Sequence, residues 1–286
     1  MRRTNRFLPL ALLFIVGCDS EAGPVPIEPT PAPAKSTFDP ANCGTITGRV
    51  TWDGPKPFAP SFIYGVPKPD GSFDVRLIPN PNVPAIDDTS HAIAGAVVFL
   101  RKIDPAATKP WDHPPVRVEM QDRGIQVVQG DSRRRVGFVR RGDAVAMLSM
   151  EPAYHVLRAR GSAYFSLAFP EPDQPLTRTF DKLGRVELSS GAGYYWASAD
   201  LLVVDHPYYT VADRDGRFAF SQVPVGPVEV VAWLPGWDAV KQERDPETGL
   251  IFRQTYAPPL EIVRSISLEL KRSAEVSFVF PTSSKP

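Results

Sequence analysis

Residues 205–233 read DHPYYTVADRDGRFAFSQVPVGPVEVVAW, and the fold class follows from this stretch. Asp215-Gly216 is a hairpin turn signal, because glycine reaches the positive φ angles that tight turns require. Phe218 and Phe220 after it alternate with polar neighbours, the two-residue period of a half-buried strand. Pro224 to Gly226 supplies the next turn, and Val228, Val230 and Ala232 form the returning strand. The same period recurs outward in both directions. It appears in Ile46, Gly48, Val50 and Trp52; in Val116, Val118 and Met120; in Phe165, Leu167 and Phe169; in Ile266, Leu268 and Leu270; and in Val276, Phe278 and Phe280. Two unbroken apolar runs, Ala96 to Leu100 and Leu201 to Val204, read as central strands covered on both faces. Turn signals at Asp53-Gly54-Pro55, Pro69-Asp70-Gly71, Arg141-Gly142-Asp143 and Thr248-Gly249 separate the runs. Trp237 to Glu243 alone suggests a short helix. The pattern predicts an all-β chain of antiparallel sandwiches with Greek-key connections.

Composition narrows the function. Proline makes up 32 of 286 residues, about double its usual share of ~5%, which argues against long helices. Two cysteines and four histidines are too few for a disulfide scaffold or a multi-cysteine zinc module. Lysine plus arginine equals aspartate plus glutamate at 32 each, so no nucleic-acid partner is expected.

The chain opens MRRTNRFLPLALLFIVGC. Three arginines precede a ten-residue apolar run, Phe7 to Val16, which as a helix would reach about 15 Å, half of a ~30 Å hydrocarbon core. Residues 1–18 therefore read as an export signal. Ile15-Val16-Gly17-Cys18 resembles the bacterial lipoprotein box, although Ile15 and Val16 depart mildly from it. The resemblance implies lipid on Cys18 and localisation to the bacterial cell envelope, anchored to a membrane and facing the periplasm or exterior. The alternative is an ordinary secretory signal with an incidental cysteine. Cleavage before Cys18 would leave 29 basic against 32 acidic residues, a net charge of −3. Residues 19–43 hold Pro24, Pro26, Pro29, Pro31, Pro33 and Pro40 with few bulky apolar side chains, the composition of an extended linker. Cys43, alone once Cys18 is lipidated, is expected as a free or buried thiol.

The middle of the chain resembles a known family. GDAVAMLSMEPAYHVLRARG (142–161) and GAGYYWASADLLVVDHPYY (191–209) resemble the cupredoxin-type domain of bacterial methylamine-utilisation-like proteins. The family's first half is a turn, a strand, Asn, an acid and a copper-binding His. Ser149 stands for the Asn, Glu151 for the acid, and His155 at the ligand position. Its second half is Cys-x-x-His-x-Trp-Met, a valine run and His-Pro-aromatic. Trp196 and His206-Pro207-Tyr208 are kept, but Gly191 stands at the Cys position, Tyr194 at the His and Ala197 at the Met. A blue-copper centre needs thiolate and imidazole donors. Glycine and alanine offer none, and a phenol with a pKa of about 10 is a poor substitute. The resemblance thus implies a degenerate copper site, with Tyr194, Tyr195 and Trp196 expected to fill or cover it. Burying ~150–250 Å² per ring at ~25 cal/mol/Å² gives about 4–6 kcal/mol gross for each. Residues 205–233 resemble the carboxypeptidase regulatory-like, transthyretin-type sandwich.

These readings divide the chain into N-terminal strands and a proline-rich loop excursion (44–105), a cupredoxin-like Greek-key β-sandwich (106–205) and a smaller carboxypeptidase regulatory-like β-sandwich (206–286). They leave open which sandwich the strands near Ile46 and Val97 complete. Asp213 and Asp215 hold only part of a calcium loop, so a hairpin turn is the better reading. Arg133 to Arg135, Arg140 and Arg141 read as a solvated loop and edge strand rather than a polyanion site. His91, His113 and His206 lack ligand spacing, and no nucleophile elbow is present. The expectation is therefore a noncatalytic envelope protein with no metal and no cofactor, whose partners are a membrane, through its lipid anchor, and a protein or carbohydrate of the envelope. The alternative is a copper-binding or electron-transfer protein using His155 with non-standard ligands.

Overall fold

The computed structural model describes residues 36–281 apart from Pro69, Thr248 and Leu250. The export signal, Cys18 and most of the linker lie outside the described residues. Within them the chain is nearly all strand, with single 3-10 turns at Pro40–Asn42 and Pro105–Ala107. No described helix is long and apolar enough to cross a membrane.

Two sandwiches account for most strands. In the first, one sheet runs in the order Val136–Arg140, Ser198–Val204, Gly184–Ser190, His155–Gly161, Phe165–Phe169. It faces a sheet in the order Leu176–Thr179, Ala144–Ser149, Val116–Gln121, Gly124–Gln129, Ser132–Arg134. Met147, Leu157, Val186, Leu188 and Leu201 fill the space between them, all fully buried. The second sandwich packs the sheet Arg217–Pro224, Cys43–Asp53, Ser273–Pro281 against the sheet Tyr209–Val211, Val97–Arg101, Gly226–Leu234, Leu260–Leu268. Ile46, Leu100, Val230, Phe278 and Phe280 form its core.

Strand pairing resolves the question that sequence left open. Cys43–Asp53 lies between Arg217–Pro224 and Ser273–Pro281, and Val97–Arg101 between Tyr209–Val211 and Gly226–Leu234, so both N-terminal strands complete the C-terminal sandwich. The first sandwich, from Val116–Gln121 to Ser198–Val204, is inserted in the chain between Val97–Arg101 and Tyr209–Val211 of the second. The sheets are not purely antiparallel as expected. Cys43–Asp53 runs parallel to Ser273–Pro281, Val136–Arg140 to Ser198–Val204, and Ala144–Ser149 to Val116–Gln121. Partners distant in sequence need no tight hairpin, so the connection does not impose direction.

Several local expectations meet their physical limits here. Trp237 to Glu243 is not a helix: Ala239–Arg244 pairs antiparallel with Ile251–Tyr256. So short a helix would be poorly nucleated, whereas the returning strand satisfies its backbone. Leu270 sits in the turn after Leu260–Leu268 and is exposed. Gly216 has φ +73°, and a Cβ there would lie 2.3 Å from the Val50 carbonyl oxygen, so the Asp215-Gly216 turn requires glycine. Asp213 Oδ1 accepts from the Asp215 and Arg217 amides at 2.9 and 2.8 Å, which makes this loop a turn. The Cys43 thiol is buried and donates to the Asp39 carbonyl at 3.3 Å; burial first, then the Asp39 charge, raises its pKa.

Of the arginine run, Ser132–Arg134 is an edge strand as expected, yet Arg135 is partly buried and fully engaged. Its Nε donates to the Ser198 carbonyl at 2.7 Å and one terminal nitrogen to the Ser198 hydroxyl at 2.6 Å. The other terminal nitrogen donates to the Pro81 carbonyl at 2.6 Å and to Asn82 Oδ1 at 2.8 Å. Asn82 and Asn80 in turn donate to the Gly236 and Trp237 carbonyls at 2.9 and 2.8 Å. This polar clamp joins the proline-rich excursion to both sandwiches. Between the sandwiches Val97, Phe99, Phe138, Val231 and Trp233 form a small shared core, in which Phe99 stacks on Tyr209 at 5.0 Å.

Two predictions follow from this junction. Arg135→Met strands the Ser198 and Pro81 carbonyls and should lower stability by roughly 3 kcal/mol in urea melts, a lost charged hydrogen-bond network. His113 and His206 both border the junction. His113 Nε2 donates to the Pro207 carbonyl at 2.8 Å, and His206 Nδ1 accepts from the Tyr208 amide at 3.3 Å. Burial is the main cause that pulls both imidazoles below the ordinary 6.5. The unfolded chain therefore binds protons more readily than the folded one. Stability from the neutral rings is present above pH 6.5 and is lost as pH falls through and below that value. Urea midpoints measured from pH 7.5 to 5 should decline, and His206→Gln should flatten the decline.

Candidate functional site

Strand His155–Gly161 begins at the imidazole that the family pattern marks. His155 is 2% exposed, pointing inward because the strand's burial alternates from that residue. Its Nε2 lies 2.9 Å from Glu151 Oε1. The same oxygen accepts from the Arg123 amide at 3.2 Å, and the Ser149 hydroxyl donates to the Glu151 carbonyl at 2.9 Å. Ser149, Glu151 and His155 thus meet as the sequence pattern implies, in a closed hydrogen-bond set.

The other pattern positions converge only in part. Tyr194 packs its ring 5.6 Å from that of His155, and Ala197 is buried against the same pocket, whose wall also includes Met120, Ile125 and Ser190. The enclosed space leaves no room for a water molecule. Gly191 faces elsewhere. Its amide donates to the Val156 carbonyl at 2.7 Å, and a Cβ added there would meet Val156 Cγ1 and Arg158 Nε, each at 2.7 Å. Val156 also borders the pocket, but Gly191 and Arg158 do not, and Ser190 is the residue that shares it with the imidazole. The remaining histidines stay apart: His91 is exposed in a turn, and His113 and His206 border the junction. Among the described residues no group of three His, Cys, Asp or Glu side chains is placed to hold a metal ion. The residues present do not fit a copper centre, because one imidazole, already bonded to a carboxylate, is the only nitrogen donor at the four positions.

Above this pocket lies an aromatic cluster of five rings, two of them unforeseen in the sequence. Trp196 is buried, with Tyr194 at 5.7 Å and Tyr195 at 5.2 Å between ring centroids. The proline-rich excursion forms a hairpin, Phe62–Pro67 with Phe73–Ile78, and its inward Phe62 and Tyr64 complete the cluster. Tyr64 meets Trp196 edge-on at 4.8 Å, and Phe62 meets Tyr195 at 5.5 Å. The Arg123 guanidinium lies over Tyr64 at 5.3 Å. The Tyr195 hydroxyl donates to the Ile63 carbonyl at 3.2 Å, and burial is the main cause raising its pKa. The only advance signal for Phe62 and Tyr64 was their i, i+2 spacing.

No family model matches this chain, and no curated protein matches it. Among solved structures it is similar to an oxidized amicyanin variant at 16% identity, over 32% of this chain and 82% of that one, with a TM-score of 0.25. It is also similar to a Cu(I) form of another amicyanin variant at 15% identity, over 37% of this chain and 98% of that one, with a TM-score of 0.26. TM-scores this low carry no argument, so the site is judged on its own geometry.

Between the 62–78 hairpin, the 191–196 loop and the 239–256 hairpin opens a cleft of about 1020 Å³. Tyr194, Tyr195 and Phe252 line it with Gln242, Arg244 and Gln254. It lies at the upper end of the usual size range of ligand pockets, ~300–1,000 Å³.

The Gly191 geometry gives a direct test. Gly191→Cys should lower the melting temperature, by displacing Val156 or Arg158, and should give no copper–thiolate absorption with Cu(II), even combined with Tyr194→His. A coloured complex from the double variant would contradict the orientation described above.

Proposed function

We propose that this chain is a noncatalytic binding protein of the bacterial envelope, tethered to a membrane through lipid on Cys18. In this reading the first sandwich is a cupredoxin-like domain that has lost its copper ligands, and the second is carboxypeptidase regulatory-like. The observation that carries the proposal is the state of the family's ligand positions. His155 is engaged by Glu151 at 2.9 Å, its pocket is packed shut, and aromatic rings occupy the loop that would present a thiolate. The chemistry left is recognition, in the aromatic cleft alongside. A protein or a carbohydrate of the envelope is the class of partner; the lipid anchor holds it near that partner, and two or more acyl chains would make the tether firm.

A second reading rests on the same pair: His155 Nε2 and Glu151 Oε1, with Tyr194 adjacent, would bind copper through non-standard ligands. Elemental analysis separates the two. The full chain, purified from bacteria in detergent and incubated with copper, should retain equal, substoichiometric metal with and without His155→Ala. One copper per chain, lost in the variant, would overturn the proposal. In parallel, Cys18→Ser should move the protein from the membrane to the soluble fraction.

A further inference from the structure

We propose that the outer strand of the 62–78 hairpin, Phe73–Ile78, pairs edge to edge with the same strand of a second copy of this chain, about a two-fold axis at Val75. No residue of this strand lines the cleft.

Among the described residues the hairpin is a sheet of two strands, and Phe73–Ile78 has Phe62–Pro67 on one side and no strand on the other. Asp74, Val75, Arg76 and Leu77 are all exposed, Val75 at 64% and Leu77 at 68%. The opposite edge of the hairpin is in use, since there the Ile63 carbonyl accepts from the Tyr195 hydroxyl at 3.2 Å. An open edge is a template for another strand, and proteins ordinarily blunt theirs, often with charge. Ser132–Arg134 does so with two like charges, Arg133 and Arg134, which repel a second copy of themselves. Phe73–Ile78 carries instead one acid and one base, two residues apart.

The hydrogen-bond phase of the hairpin fixes which backbone groups are free. The Lys68 amide donates to the Ser72 carbonyl at 2.8 Å, and these residues stand opposite each other in the register that pairs Pro67 with Phe73. Hydrogen-bonded pairs alternate along an antiparallel ladder, so Asp74, Arg76 and Ile78 turn their backbone groups toward Phe62–Pro67. Residues 73, 75 and 77 turn theirs to the open edge. A two-fold axis at Val75 places Val75 opposite its own copy and residue 73 opposite residue 77, so the outward amides and carbonyls meet donor to acceptor at all three positions.

The same axis sets Asp74 opposite Arg76 of the second copy, and Arg76 opposite Asp74. These pairs fall at the non-hydrogen-bonded positions, where Cα atoms approach to about 4.5 Å and side chains lie closest. Among the described residues neither has a charged partner in its own chain. Moving the axis by one residue sets Asp74 or Arg76 against its own copy, a like-charge contact that opposes pairing. The strand is therefore complementary to itself in one register, as an isologous interface requires. Pairing joins the two hairpins into a four-stranded sheet whose outer face carries the exposed Ile63, Val75 and Leu77 of each copy. So short an edge buries less than the ~1,200–2,000 Å² of a standard interface, so the dimer is a weak one.

The test is sedimentation equilibrium of the full chain in density-matched detergent, over about 5 to 200 μM, the range in which a weak dimer dissociates. A monomer–dimer equilibrium is expected, weakened roughly 10-fold or more by Asp74→Arg and by Arg76→Asp, each of which puts like charges across the axis. Both side chains are exposed, so the fold tolerates these changes. The double variant Asp74→Arg/Arg76→Asp should associate as the parent does. So should an equal mixture of the two single variants, because their opposite charges meet only in the mixed dimer. A monomer at every concentration overturns the proposal and leaves the edge to a strand of another protein. A dimer indifferent to the single reversals, or a mixture that fails to restore association, overturns it as well and assigns the contact to another surface or to a shared micelle.

Discussion

A guanidinium withdrawn from water must find acceptors for its donors, and at Arg135 they come from three different parts of the chain. Ser198 belongs to a central strand of the first sandwich, Pro81 and Asn82 to the proline-rich excursion, and Asn82 passes the connection on to Gly236 beside the second sandwich. Burial lowers the Arg135 pKa, partly opposed by the Asp200 charge, yet the group stays a cation at any physiological pH. Each partner is therefore held by a bond that cannot be released without stranding a charge. The apolar junction of Phe99, Phe138 and Trp233 supplies area, while the arginine supplies register.

That register positions the site. With residues 80–82 pinned, the preceding hairpin lies across the 191–196 loop, and Phe62 and Tyr64 reach Tyr195 and Trp196. The 191–196 loop is held by edge-on aromatic contacts, each worth about 0.5–1.5 kcal/mol beyond area burial. His155, cut off from any second nitrogen donor, is satisfied by Glu151. The same hairpin forms one wall of the cleft, so covering the aromatic loop and shaping the cleft share a structural cause.

Much of this was legible in residue order. The two-residue period located the core strands because a half-buried strand must alternate, and Asp215-Gly216 identified its turn because no side chain fits beside the Val50 carbonyl. The Ser149, Glu151 and His155 set was legible because its members are close in sequence and one strand end gathers them. Arg135 was misjudged among its arginine neighbours, since a run of like charges does not reveal which member turns inward. Ser190 rather than Gly191 shares the pocket with His155, because loop orientation depends on the backbone hydrogen bond to Val156. Trp237 to Glu243 gave a helix-like pattern and became a strand once a partner was within reach.

Local chemistry alone thus determined the strand class and most turns, since periodicity and glycine need no partner to be read. Pairing between distant segments decided everything else. The N-terminal strands joined the C-terminal sandwich, the excursion became the cover of the aromatic cluster, and three remote segments enclosed the cleft. These outcomes depend on which surfaces exclude water together, a quantity that exists only once the whole chain has folded.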